Sequence, residues 1–444
     1  MANNVFDLTE LRKPPPLEDK HVEGLVFPPV ALASDADLAR AVPRVPLVAD
    51  AMRLTAWTGT RPVTEHGLLR AADAEAAVAE LGLTPSRLRL LWIVAVNTGL
   101  LQIMRGTAGR GPLSSQLPVE ATLEFWDGVV MDVLDRADAN AEEPGLTGSK
   151  VIDEHLAETL ATIYSVRTGV AAATLAKGIL HSHEVACAPG VVELRRLAAV
   201  LPAELYEALA VLEYCGLVEQ TATGHFRLTP LGVWAVRRDL LREGHDAPTA
   251  AEVEVYSDYA AAELVEAMIT GVVTPSVVAY WLERRSPESA AHELVQVAAS
   301  GTAGQRGAVG TILEELGPEA ELPVRKALDE PLMWRYAASW LHIRDLPAPP
   351  LSPDDHTWIA IDSLAALLYF ADAPGAMGSF DVLEAGEELV RLVGEMASAD
   401  HPDTIAVLDL LANHHGDQAV AKAARKAAMK ARSLEAQLTG NAPD

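Results

Sequence analysis

Five arginines stand where a guanidinium could grip phosphate. Arg87 and Arg89 open a helix that follows Thr84-Pro85, Arg105 and Arg110 lie in the Gly-containing stretch after it, and Arg227 lies in a second such stretch. The planar fork of an arginine matches the oxygens of a phosphate. The plainer reading is a solvated face on a near-neutral region. In the corresponding later helix the outward positions are Glu204 and Glu207, with Glu213 beyond them. Carboxylates repel phosphate and read only the amino group of cytosine. Contact with DNA is therefore expected, if anywhere, through the first region.

Other clusters have simpler accounts. His181, His183 and Cys187, with Glu184 among them, could share a metal only on an extended segment, and a polar loop is expected there. Asp354, Asp355 and His356 follow Ser352-Pro353 and suit the first turn of a helix. His414-His415 falls in a turn between helices and is expected at the surface. Lys422, Arg425, Lys426 and Lys430 form a basic stripe that could hold an acidic face of the same domain. The sequence contains no phosphate loop ending in Lys-Ser/Thr, no G-x-S-x-G and no H-E-x-x-H. No catalytic residue, cofactor or metal ligand is expected.

The elements that would carry the arginines repeat. Thr84-Pro85 opens one helix and Gly99 ends it; Pro202 is read as opening another, which Gly216 ends at the same spacing. After each glycine come apolar residues around a turn: Leu100, Leu101 and Ile103 before Gly106–Gly111, and Leu217-Val218 with Phe226-Arg227-Leu228 around Thr221–His225. Leu88, Leu91, Trp92 and Ala95 line one face of the first helix, and Leu205, Ala208, Leu209 and Leu212 one face of the second. Asp73 is expected to cap the helix before Gly82, and Val191–Val200 is read as a separate helix.

A helix, a glycine stop and a hairpin are the last parts of a winged helix-turn-helix. The run Leu205–Val236, LYEALAVLEYCGLVEQTATGHFRLTPLGVWAV, resembles the winged-helix proteins of bacterial transcription regulators over about thirty residues and the rest of its module loosely. The run Trp57–Leu83, WTGTRPVTEHGLLRAADAEAAVAELGL, is similar to a segment of uncharacterised actinobacterial proteins, which implies no activity. The winged-helix resemblance implies that Arg87 and Arg89 face the major groove and Arg105 and Arg110 the flanking backbone.

The expected fold is mainly α: an extended N-terminal strap (1–42), winged-helix modules at 43–140 and 150–245, an acidic all-helical, HEAT-like repeat domain at 250–433, and a tail at 434–444. Val26, Phe27 and Val30 need cover, which makes the lead-in a strap rather than a free arm. The formal charge of −27 is uneven: 43–140 and 150–245 each hold 9 basic and 11 acidic residues, whereas 246–432 holds 13 and 29. Neither module has the basic surplus of a protein held by many phosphates. Two cysteines in a large apolar chain do not suggest a disulfide framework, and no signal peptide or spanning segment is visible. The expected function is a non-enzymatic, cytoplasmic regulatory or adaptor protein. Its acidic domain would meet a protein partner, a basic one suiting its charge, and homo-oligomers fit the same reading. The alternative is a DNA-binding transcription regulator with a C-terminal sensor or oligomerisation domain.

Overall fold

The structure is a computed structural model that describes residues 25–112, 117–137, 145–370 and 387–440. It is mainly helical and divides into two compact units, one spanning Gly24–Ala250 and the other built from the helices after it.

In the first unit the order is α1 (Asp35–Ala41), α2 (Pro46–Thr58), β1 (Arg61–Pro62), α3 (Ala71–Leu81), α4 (Pro85–Asn97), β2 (Leu101–Met104), β3 (Thr107–Arg110) and α5 (Val119–Ala137). A second run follows: α6 (Lys150–Glu154), α7 (Leu156–Ser165), β4 (Val170–Ala171), α8 (Ala172–Cys187), α9 (Val191–Tyr214), β5 (Val218–Gln220), β6 (His225–Leu228) and α10 (Pro230–Arg242). Each run folds its strands into an antiparallel three-stranded sheet with the last strand in the centre, in the orders β1-β3-β2 and β4-β6-β5. Both expected hairpins are present. Gly99 and Gly216 each take φ +77°, a conformation that L side chains avoid, so glycine stops both helices.

Several local expectations are corrected. Residues 35–41 form α1 rather than extended chain, because the Ser34 hydroxyl accepts the Asp37 amide at its start and no proline interrupts it. Arg70 precedes α3, and Asp73 lies in its first turn instead of capping it. The first hairpin turns at Arg105-Gly106 alone, both at positive φ, and Thr107–Arg110 is strand. Pro202 does not open a helix: α9 runs through it unbroken from Val191. The buried residues Leu197, Leu201, Leu205, Leu209 and Leu212 form one stripe across the proline. Their common burial outweighs the single backbone hydrogen bond that Pro202 removes. The Pro85–Gly99 and Pro202–Gly216 spacings therefore match in their glycine ends only.

One apolar core runs through both halves of this unit. Trp126 of α5 is fully buried and donates its indole N–H to the Leu231 carbonyl of α10 (3.3 Å). Asp127 takes Arg238 (3.3 Å) and Arg242 on the same seam. Residues 25–30 lie along 245–250 as a strap. Phe27 donates its amide to the Asp246 carbonyl (2.8 Å), packs edge-on against Tyr164 and is buried with Val30, while Val26 stays half-exposed.

The second unit contains α11 (Ala250–Glu254) from its second residue on, α12 (Ala261–Ile269), α13 (Pro275–Glu283), α14 (Pro287–Ser300), α15 (Ala303–Leu316), α16 (Glu321–Lys326) and α17 (Trp334–Ile343). It continues with α18 (Pro353–Phe370), α19 (Glu387–Met396), α20 (Thr404–His414) and α21 (Gln418–Gly440). Its described residues contain no strand. The chain expected as a tail from residue 434 continues α21 to Gly440, since no breaker intervenes; residues 441–444 lie outside the described residues. Most of the linker expected at 138–149 and the start of the strap also lie outside them.

Candidate functional site

The five arginines meet different fates. The Arg87 guanidinium lies over the Tyr214 ring, 4.4 Å from its centroid, and the Tyr214 hydroxyl donates to Asp50 (3.0 Å). Burial and the Asp50 carboxylate raise the Tyr214 hydroxyl pKa, so it remains the donor. Arg87 thus joins a clasp of α2, α4 and α9 while staying exposed. Arg227 is held by Glu219, directly opposite on β5, with its Nε donating at 2.8 Å. Its charge is met within the sheet. Arg89, Arg105 and Arg110 are exposed and have no acidic partner among the described residues.

The helices that would present these side chains are poor platforms for phosphate. Leu88, Leu90, Leu91, Trp92, Val94 and Ala95 of α4 are buried, which covers most of its circumference. Its N-terminus is fixed by Thr84, whose hydroxyl accepts the Arg87 amide (3.2 Å), and its C-terminus by Asn97, which donates to Asp132 on α5 (2.7 Å). The remaining strip holds the exposed Ser86, Arg87, Arg89 and Asn97 with the half-buried Ile93 and Val96. On α9 the exposed residues after Leu201 are Pro202, Ala203, Tyr206, Glu207, Ala210 and Glu213, and before it they include Arg195 and Arg196. Glu204, expected with them, turns inward and accepts the Ser149 hydroxyl (2.6 Å). Tyr206 packs edge-on against Phe226, and its hydroxyl accepts from Gln220 (3.1 Å).

His181, His183 and Cys187 lie on α8, not in a loop. Two residues apart on a helix, His181 and His183 point to opposite sides. The His183 ring meets His155 edge-on, with centroids 5.7 Å apart, and Cys187 is exposed. Asp354 and Asp355 occupy the first turn of α18 as expected; Asp355 accepts the Ser352 amide (3.0 Å) and Arg335 (2.8 Å). His415 is buried rather than exposed, because its Nδ1 accepts the Asp417 amide (3.0 Å) and so starts α21.

The most concentrated chemistry lies at residues that sequence reasoning passed over. Asp362 on α18 is fully buried and accepts four hydrogen bonds: two from Arg306 on α15, one from the Tyr336 hydroxyl on α17 (2.7 Å) and one from His401 Nε2 (2.8 Å). Trp358 packs against His401 with the rings tilted by 59° and their centroids 4.5 Å apart, and Arg335 covers Trp358. Burial by itself would raise the Asp362 pKa. The hydrogen bonds from Arg306 and His401, the Arg306 charge and the Tyr336 hydroxyl reverse that and hold it at about 2.

Asp362, His401 and Asp403 also bring their ligand atoms within 4.8 Å of one another. The donor set does not fit a metal. The Asp403 amide donates to His401 Nδ1 (3.0 Å), which places the ring proton on Nε2, where it is given to Asp362. No imidazole lone pair is left for an ion, and the Asp362 carboxylate is saturated. This cluster fastens three helices and the start of α20 together. A signal for it was present: Asp362 is the one charged residue in the apolar run Trp358–Leu368.

No helix among the described residues is long and apolar enough to cross a membrane. No protein-family model, curated protein or solved structure matches this chain.

Proposed function

We propose that this chain is a non-enzymatic regulatory or adaptor protein, with two winged-helix modules joined into one scaffold and an acidic, HEAT-like helical domain that meets protein partners. The order helix–strand–helix–helix–hairpin, repeated with the same sheet topology, supports the winged-helix reading. Antiparallel helix pairs such as α14–α15 and α20–α21 support the repeat-like one. The observation that carries the function is the state of the third helices. α4 is buried around most of its surface, and the part of α9 after Pro202 presents tyrosine, alanine and glutamate. A winged helix without a cationic recognition face suits protein docking, which is an analogy at the level of fold. The saturated Asp362 cluster supports a structural rather than catalytic use of the buried polar groups.

The rival reading, a DNA-binding regulator, draws on Arg89, Arg105 and Arg110, which remain exposed. Titration of the full-length chain with duplex DNA at rising salt separates the two. The adaptor reading expects only weak binding without a discrete site, fading above about 0.1 M salt, where the screening length is about 10 Å. It also expects Arg89→Glu with Arg110→Glu to change little. A discrete site whose affinity falls steeply with salt, and which that double variant abolishes, would overturn it. Arg87→Glu is the wrong probe, because it breaks the clasp with Tyr214.

A further inference from the structure

The second unit carries a charge anomaly. From Gln418 to Leu434, α21 holds five cations and no acid, whereas residues 251–417 hold 28 acidic and 8 basic side chains. Arg432 is paired with Asp409, and Lys430 Nζ reaches the Ser398 hydroxyl (3.2 Å). Lys422, Arg425 and Lys426 have no acidic partner among the described residues. Met429, 70% exposed, shares the line of Lys422 and Lys426 at i, i+4 and i+7. The opposite side of the helix, with Val420, Ala424, Ala427, Ala428 and Ala431, is buried.

A groove of opposite charge lies on α12. Tyr259, Ala262, Ala267 and Val272 line a shallow apolar groove whose rim carries Glu263 and Glu266. Val272 is exposed. Glu263 spends one carboxylate oxygen on the Ala260 amide (2.9 Å), and the Glu266 carboxylate has no partner among the described residues. The groove offers what the Lys422–Lys426–Met429 line lacks: an apolar seat flanked by negative charge.

We propose that the α12 groove receives the Lys422–Lys426–Met429 face of α21 from a second copy of this chain. Met429 enters the apolar floor, and the two ammonium groups meet Glu263 and Glu266 at its rim, a helix-in-groove contact. A nucleic acid suits the face less well, since the chain's charge of −27 repels a polyanion and phosphates give Met429 no apolar seat. One helix in a shallow groove falls below the roughly 1,200 Å² of a stable interface, so the association is weak and sensitive to salt. The proposal rests on reading this unit as an interaction surface. That reading is tested separately by the DNA titration, so either can fail alone.

Sedimentation velocity of the full-length chain, from low to high micromolar concentration, reads the contact directly. At about 50 mM salt the weight-average mass rises with concentration, and at about 500 mM it returns to that of the monomer. Lys426→Glu and Glu266→Lys each weaken association at least tenfold. Neither side chain has a partner among the described residues, so circular-dichroism melting stays unchanged. A chain that carries both substitutions regains association through the swapped pair, an outcome that misfolding could not give. A monomer at every concentration, single variants that associate like the parent, or a double variant that fails to recover would overturn the proposal. So would association carried by bound nucleic acid, seen as absorbance at 260 nm that Lys426→Glu removes.

Discussion

At Asp362 a carboxylate in the second unit's interior is made tolerable by four donors. A folded pKa of about 2, below the ordinary 3.8, means that the folded state binds this proton more weakly than the unfolded chain does. The resulting stabilisation, on the order of 2 kcal/mol, is complete above about pH 4 and is lost as pH falls through about 2. Asp362→Asn removes this acid dependence and leaves Arg306 buried without its counter-charge. That variant is expected to lose about 3–5 kcal/mol at neutral pH, read by chemical denaturation. A loss under 1 kcal/mol would show that the cluster is not a fastening. Arg306, Tyr336, Asp362 and His401 are far apart in sequence, and no local spacing links them. Only the misplaced charge in the apolar run hinted at one of the four. The arginines show the converse. Their types were legible, but the partners that occupy Arg87 and Arg227 come from packing and strand register.

Among the elements, the glycine stops were legible because positive φ leaves almost no other residue. The hairpins followed from them. Pro202 was misleading, because a local rule about proline competed with a long apolar stripe and burial won. The two glycines also separate backbone from packing effects. A Cβ at Gly99 would meet nothing within 4 Å, while at Gly216 it would lie 2.7 Å from a Val45 methyl. Gly99→Ala is expected to cost about 1–2 kcal/mol for the left-handed backbone alone. Gly216→Ala should cost about 1–3 kcal/mol more through overpacking, in paired thermal melts. Equal losses would mean that α2 yields at Val45 without cost.

For the whole molecule, sequence composition located the acid surplus in the C-terminal half, and the structure shows a helix within that half whose run from Gln418 to Leu434 carries cations and no acid. The modules read from the sequence as separate domains share one continuous core in the structure. That junction was not visible beforehand because Trp126 and Leu231 lie more than a hundred residues apart and either could have filled a core of its own.

The strap has a topological consequence. Val26 bridges Asp246 and Val30 bridges Thr249 in parallel, so the first unit's beginning and end run side by side. Leu25 and Ala250 are then separated by only about five extended residues, roughly 17 Å. A circular permutant that joins them through a short flexible loop, and opens the chain between Ala137 and Gly145, should fold with near-parental cooperativity in a single denaturant transition. Two transitions would reveal halves that are merely neighbours.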